Sequence, residues 1–472
     1  MTAILVASLM LPFCIGYCLI SLSWPRLGGA WEHLLLKASL SAGIGLGISS
    51  GIYFIGLLLF GPSRIVLLVE MLVLISLAAF YWNKTKVRFY SPSPVPDIFT
   101  ISHPPCHWTL PLSFAIVFLT SMILLSLYII HNPHGMPDAW GVWNLRARFI
   151  FRSGEYWANA FSSVLHWAHH TDYPLLIPCI VARFWQVLGH ETQVVPALLS
   201  MSFTILTIFL MVSSLSILRG KSQAYLSGLV LASFGLFIHD GDNQCADIPV
   251  GFFYLATMVL LFIQERLPKN YNLSLLAGLT ASLSGWTKNE GLLFLAAIAI
   301  ARFAVAVKSE EIKNRLVQLL YFAIGTIPVM SIIIYFKVQL VPPNDLLQSL
   351  DHGHLIPRLI DLTAHVQIIK ALVNHFLYYS YSLIMLAVCI ACFGIKVGEV
   401  DKNGIVTSLL TLSIMFCGFY FVYLTTPHDL TWHLKTSLER VLLQLWPTFI
   451  FTYFLMVRSP EEVMVPKENR YD

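Results

Sequence analysis

Residues 173–189 read YPLLIPCIVARFWQVLG, and whether this stretch crosses a bilayer decides the topology of every segment after it. A spanning helix needs about 20 mainly apolar residues, with about 17 as the lower limit, so composition alone would admit it. Two features argue against a crossing. The stretch contains Arg183 together with Pro174 and Pro178. Counting it as a span would also move every later basic loop to the opposite side. We read it as a helix lying in or near the outer interface.

Working outward, the remaining apolar segments fall at 3–22, 40–60, 65–82, 110–130, 194–218, 224–238, 248–263, 273–286, 292–307, 316–336, 376–395, 405–424 and 441–457, thirteen in all. Basic residues in short loops mark the cytoplasmic side. With these spans alternating, Arg26 and Lys37, then Lys84, Lys86 and Arg88, then Arg219 and Lys221 share one side. Arg266 and Lys269, then Lys308, Lys313 and Arg315, then Lys396 and Lys402, and the tail with Arg458, Lys467 and Arg470 join them. The pattern predicts an outer N-terminus and a cytoplasmic C-terminus.

Composition agrees with this plan. The chain has 472 residues, 57% hydrophobic and 11% charged, with mean hydropathy +0.72; soluble domains carry about 25% charged residues. The net charge of +4 comes from the short loops and implies no nucleic-acid partner. The apolar 3–22 segment lacks a basic leader and a small-residue cleavage site, so it reads as a retained span. Cys389 and Cys392 spell C-x-x-C without a second pair, and read as small core residues. Gly43, Gly47 and Gly51 recur at four-residue spacing and predict a close helix-packing face. We divide the chain into an N-terminal three-span unit with its cytoplasmic linker, 1–108; a membrane core, 109–338, with the outer loop 131–193; and C-terminal spans, 339–472, with outer loops 337–375 and 425–440.

The polar residues collect in the outer loops. A transporter more often places ionisable groups at mid-membrane, on broken helices. In GMPDAWGVWNLRAR at 135–148, Asp138 is followed by Trp140, Asn144 and Arg148 at four-residue spacing, which on a helix share one face. Asp138 reads as a helix cap or as a functional acid at the water–lipid boundary, with the tryptophan as interface anchor or sugar platform. HHTDYPLLIP at 169–178 supplies Asp172 and Tyr173, or is a plain polar turn. QCADIPVGFF at 244–253 puts Asp247 at the start of a span, as a cap or a ligand. WTKNEGLLF at 286–294 inserts Lys288, Asn289 and Glu290 between two short apolar segments; this is costly unless they face a cavity, a ligand or one another. TPHDLTWHLKTSLERVLLQLWP at 426–447 delivers His428, Asp429, His433 and Arg440 to the outer face. A guanidinium at that depth suits a lipid phosphate or simply snorkels. The histidines lack metal-ligand spacing, so no cofactor is assigned, and a divalent metal is left open without a residue set assigned to it.

In this order the motifs resemble the GT-C superfamily of membrane glycosyltransferases. The similarity is greatest to bacterial relatives of protein O-mannosyltransferases and of the aminoarabinose transferase acting on lipid A, and it covers roughly 110–310. The resemblance implies that Asp138, as the early acid of the first outer loop, is the catalytic residue. The family's His-Pro-Pro-Leu element corresponds to Asp172, Tyr173, Pro174 and Leu175, its later acid to Asp247, and its Thr-Lys-Gly to Thr287 and Lys288, followed here by Asn289. The family's Asp-Glu becomes Asp138–Ala139, and three spans, rather than one, precede the loop. The implied fold is all-α and polytopic, with a long catalytic outer loop containing interfacial helices.

The implied activity moves a hexose or pentose from a polyprenyl-phosphate donor to a glycan, lipid or protein acceptor at the outer, periplasmic face of a bacterial inner membrane. In that scheme Asp138 is the base. Arg440 and Lys288 bind the donor phosphate, with Arg146 or Arg148 as substitutes. Asp172, Asp247, Glu290, Asp429 and His433 hold sugar hydroxyls, and Trp140, Asn144, Tyr173, Asn289 and His428 complete the substrate-binding set. A polysaccharide polymerase or ligase, and a lipid-linked sugar flippase or transporter, are the alternatives.

Overall fold

The computed structural model describes residues 2–24, 31–89, 106–165, 169–344 and 357–464. The 91–105 linker, Arg26, Lys467 and Arg470 lie outside them. The chain is a polytopic helical membrane protein; among the described residues there is no strand, only an isolated antiparallel bridge between Ile395 and Val457.

The helices, in order, are α1 (Thr2–Ser23), α2 (Trp31–Phe60), α3 (Ile65–Phe89), α4 (Thr109–His131), α5 (Asn144–Arg152), α6 (Leu176–Leu188), α7 (Val194–Leu218), α8 (Lys221–Ala232), α9 (Gly235–Asp240), α10 (Asp247–Arg266), α11 (Tyr271–Thr287), α12 (Glu290–Val307), α13 (Ile312–Gln339), α14 (Leu362–Tyr378), α15 (Ser380–Phe393), α16 (Lys402–Thr425) and α17 (Leu430–Met456). Among the described residues eight are long and apolar enough to cross a membrane: α2, α3, α4, α7, α10, α12, α13 and α16. The pair α14–α15, bent by 71°, makes a ninth if taken as one span. The segment predicted over 224–238 is not one helix. It breaks at Ser233–Phe234 into α8 and α9, 12 and 6 residues long.

Helix α10 is the axis of the bundle. All of its most apolar window is buried inside the protein, and it packs on α7, α11 and α17. The glycine stripe of α2 serves close packing as expected: a Cβ on Gly43 would sit 2.1 Å from the Phe252 ring of α10, and one on Gly47 2.7 Å from Leu283 of α11. The cysteine reading needs correction, because Cys392 and Cys417 are exposed on the outside of the bundle and Cys389 is only partly covered.

The deciding stretch forms α6, whose 13 residues extend about 20 Å at about 1.5 Å per residue, short of a hydrocarbon core of about 30 Å. It is not laid on the surface, however. All but two of its 13 residues are buried, Arg183 among them. The arginine is tolerated because α3 brings Glu70 against it. Arg183 Nε donates to Glu70 Oε1 at 2.8 Å, Nη2 donates to Oε2, and the Ser49 hydroxyl also donates to Oε1. Glu70 lies inside the predicted 65–82 span, where its cost as a lone acid is removed by this fork.

Breaking a fully buried pair leaves an uncompensated charge and costs about 3–5 kcal/mol, whereas replacing both partners with apolar groups is often neutral. Glu70→Gln keeps one acceptor for the guanidinium, so we expect the lower end, a loss of about 3 kcal/mol. The double variant Glu70→Met with Arg183→Met should recover most of it. Thermal melts of the purified protein in detergent test this; an unchanged midpoint in Glu70→Gln would show that the pair does not hold α6.

Candidate functional site

The start of α10, the junction of α11 and α12 and the first half of α17 meet the loop that follows α4, and four residues far apart in sequence converge there. Asp247 is the first residue of α10, but its carboxylate does not cap the helix; Ala246 occupies the cap position. Instead Asp247 Oδ2 accepts from Arg440 Nε at 2.9 Å and Nη2 at 2.8 Å. Its Oδ1 accepts from Lys288 Nζ at 2.8 Å and Gln444 Nε2 at 2.7 Å. Arg440 Nη1 reaches across to Asp138 Oδ2, and Lys288 also pairs with Glu290 at 2.9 Å. Asp247 and Lys288 are shut away from solvent, while the Asp138 side chain is 42% exposed. Asp138 makes no cap hydrogen bond either, so the cap reading fails for both acids.

Lys288 can be aimed this way because α11 stops at Thr287 and Lys288 is extended, φ −155° and ψ 155°, before α12 begins. Burial acts to discharge its ammonium, but Asp247 and then Glu290 outweigh that and hold it above the ordinary lysine range. Three carboxylates (Asp138, Asp247, Glu290) face two cations (Arg440, Lys288), a surplus of one negative charge. Asp240, at the end of α9, lies near them, and burial, then the Asp247 carboxylate, push its acid above the usual carboxylate range.

A second group adjoins the first through Asn289. Asp172 Oδ2 accepts from Asn289 Nδ2 at 2.8 Å and Asn344 Nδ2 at 2.7 Å, and Lys337 Nζ approaches it at 3.3 Å. Lys337 also donates to Asn289 Oδ1 at 2.7 Å. Burial raises the Asp172 acid, but the Lys337 ammonium, then Asn344 and Asn289, bring it below the usual carboxylate range. Tyr173 stacks on His170 with centroids 4.6 Å apart and lies against Trp143; burial, then the Glu290 carboxylate, push its phenol upward.

The other candidates of the first loop separate. Residues 139–143 form a π-helical turn, whose i→i+5 bonding breaks the expected common stripe. Trp140 is 52% exposed while Asn144 is 3% exposed. Arg146 is buried and spent on backbone carbonyls, donating to Tyr173 at 3.2 Å, His169 at 2.8 Å and His170. It ties the 169–173 turn to α5, so its assignment as a substitute phosphate ligand is withdrawn. Arg148 faces Glu191 rather than the cluster.

On α17, Asp429 is a helix cap, its carboxylate accepting from Trp432 N at 2.8 Å; that oxygen is not offered to a sugar. His433 Nδ1 contacts Thr426 Oγ1 at 2.8 Å and its ring packs on Tyr423, and His428 packs against Trp432 and His433. His433 lies seven residues before Arg440, about 10 Å along the helix, so these residues form a separate cluster towards the rim.

Sequence reasoning missed Gln444, Lys337 and Asn344. Lys337 left a signal, being a cation just past the predicted 316–336 span, on the side where the sequence also places Lys288 and Arg440. Among the described residues no group of three or more His, Cys, Asp or Glu is arranged to hold a metal. No family model matches the chain, and no match was found among curated proteins or solved structures.

Proposed function

We propose that this protein is a glycosyltransferase that moves a hexose or pentose from a polyprenyl-phosphate donor to an acceptor at the outer face of a bacterial inner membrane, with its N-terminus outside and its C-terminus in the cytoplasm. The observation that carries the reading is the position of Arg440. Its Nε–Nη2 edge is locked by the fully buried Asp247, and its Nη1 is held by the part-exposed Asp138. One side of the guanidinium is fixed and the other is exchangeable.

The Nε–Nη2 edge is filled by Asp247, so a phosphate does not grip it bidentately there. A donor phosphate takes Nη1 instead. Because the cluster already has a surplus negative charge, the phosphate displaces Asp138 from Arg440 rather than adding beside it. That exchange releases Asp138 as the base. The acceptor oxygen attacks the anomeric carbon on the face opposite the phosphate and a new C–O bond forms. The bond from that carbon to the phosphate oxygen breaks, and its electron pair stays on the phosphate. The acceptor proton passes to the Asp138 carboxylate. Arg440 and Lys288 oppose the charge growing on the leaving phosphate, and no acid is needed for a leaving group already this stable. Asp172, Asn289 and Glu290 line the neighbouring polar wall where sugar hydroxyls would be held.

The test uses membranes containing the protein and radiolabelled polyprenyl-phosphate hexoses and pentoses. Protein-dependent release of polyprenyl phosphate, with the label moving to an acceptor, is the expected result. Binding of every donor without any release would sink the proposal in favour of a carrier.

A further inference from the structure

Outside the ion-pair cluster, a cavity of about 410 Å³ opens between α5, the junction of α6 and α7, and the loop before α10. That volume lies within the roughly 300–1,000 Å³ typical of small-molecule sites. Its wall carries Asn144, Arg148, Trp185, Glu191, Gln193 and Gln244. Three of its features are unexplained by packing.

Asn144 is buried, and its Nδ2 donates to Gln244 Oε1 at 3.0 Å, yet its Oδ1 has no partner. A buried acceptor without a donor costs about 1–3 kcal/mol. Gln244 itself has a left-handed backbone, φ +54°, a conformation that costs a non-glycine residue about 1–3 kcal/mol and concentrates at binding sites. The cations are also unequally used. Arg152 donates to both Glu191 oxygens, at 2.7 Å through Nη2 and again through Nε. Arg148 is left facing Glu191 through Nε at 3.6 Å, beyond hydrogen-bond reach. Two guanidinium groups against one carboxylate leave one positive charge, and it belongs to Arg148. Trp185 spends its indole N–H on Thr192 O at 2.9 Å and is itself 2% exposed, so it backs the wall and offers a ligand no polar group.

A ligand for this cavity must carry a hydroxyl or amine donor for Asn144 Oδ1 and an anionic group for Arg148. We propose that it is an acceptor subsite for an anionic sugar, carboxylated or phosphorylated. This rests on the glycosyl-transfer reading only for the word acceptor. Asn144 and Arg148 follow Asp138 by six and ten residues, across one π-helical turn and into α5, roughly two to three turns away. The ring bound here is therefore a neighbour of the ring that reacts, and the cavity selects acceptors by a charge they carry away from the reacting hydroxyl.

The test is binding to the purified full-length protein in detergent, with no donor present, using glucuronic acid, glucose 6-phosphate, glucose and inorganic phosphate in separate titrations. At least one anionic sugar should bind more tightly than glucose by roughly tenfold, the worth of one charge-assisted hydrogen bond. Which of the two binds better identifies carboxylate or phosphate. Arg148→Gln should remove that preference, and Gln193→Ala, on the exposed rim, should weaken the same sugar severalfold and guards against misfolding of the first variant. Equal binding of glucose and both anionic sugars overturns the proposal. So does inorganic phosphate binding as tightly as glucose 6-phosphate, which would mark an anion site that ignores the ring. Because no donor is used, anionic-sugar binding by a protein that never releases polyprenyl phosphate would leave the cavity assignment standing and remove the transferase reading.

Discussion

Asp247→Ala is expected to be the most destabilising single change in the protein. The carboxylate is completely buried and accepts from Arg440, Lys288 and Gln444 at once. Its removal leaves Arg440 with only the part-exposed Asp138 and the buried Lys288 with only Glu290. Removing one partner of a buried pair costs about 3–5 kcal/mol, and here a single acid serves two cations, so a loss of about 5 kcal/mol is expected. Asp138→Ala removes an acid from the same arginine but leaves Asp247 in place. Its side chain is 42% exposed, and exposed pairs are worth about 0–1 kcal/mol. The two variants should therefore separate widely in thermal midpoint although both lose a contact to Arg440. Equal midpoints would mean that Asp247 is not the anchor of the cluster, and the fixed edge of Arg440 would lose its basis.

The places where the sequence could be read, and where it could not, follow from what each kind of residue costs. Asp138, Asp247, Lys288 and Arg440 stand out because polar groups next to long apolar runs are expensive; their convergence follows from the need to share partners. The partners themselves are harder to see. Gln444 sits within an apolar run and has no charge to betray it, and Lys337 reads as the end of a span. Glu70 shows the same limit: an acid inside a predicted span is legible, but its neutralisation by Arg183 depends on how α3 packs on α6, which no local pattern encodes. Asp429 went the other way. As a polar residue of the outer face it reads as a sugar ligand, yet an acid just before an apolar helix is first of all a cap. The π-helical turn at 139–143 explains why Trp140 leaves the stripe that Asn144 and Arg148 keep, because one extra residue in the turn rotates everything after it by about 100°. The break at Ser233–Phe234 left only one local signal, Gly235 at the start of α9.

Asp138→Asn should leave the protein folded and nearly inactive. An asparagine oxygen can still accept from Arg440 Nη1, so the contact across the cluster survives while the proton acceptor is lost. General-base contributions are about 100- to 10,000-fold, and transfer should fall by at least about 100-fold. Donor binding should not weaken. In the proposed exchange the phosphate competes with residue 138 for Nη1, and a neutral amide competes less well than a carboxylate. Asp138→Asn should therefore bind the polyprenyl-phosphate sugar as tightly as the unchanged protein or more tightly, while turning it over poorly. Arg440→Lys provides the opposite case. It keeps a cation against Asp247, so the fold is retained, but an ammonium cannot hold a buried acid along one edge and a phosphate at another atom with the geometry of a planar fork. Donor affinity should fall first, and the rate with it, because the charge on the phosphate is present at binding and grows as the bond breaks. The measurements are equilibrium binding of labelled donor and single-turnover transfer at saturating donor, with matched protein levels. Weaker donor binding in Asp138→Asn would show that Asp138 supports the phosphate site instead of competing for it, and near-normal turnover would move the base to Asp172 or Glu290.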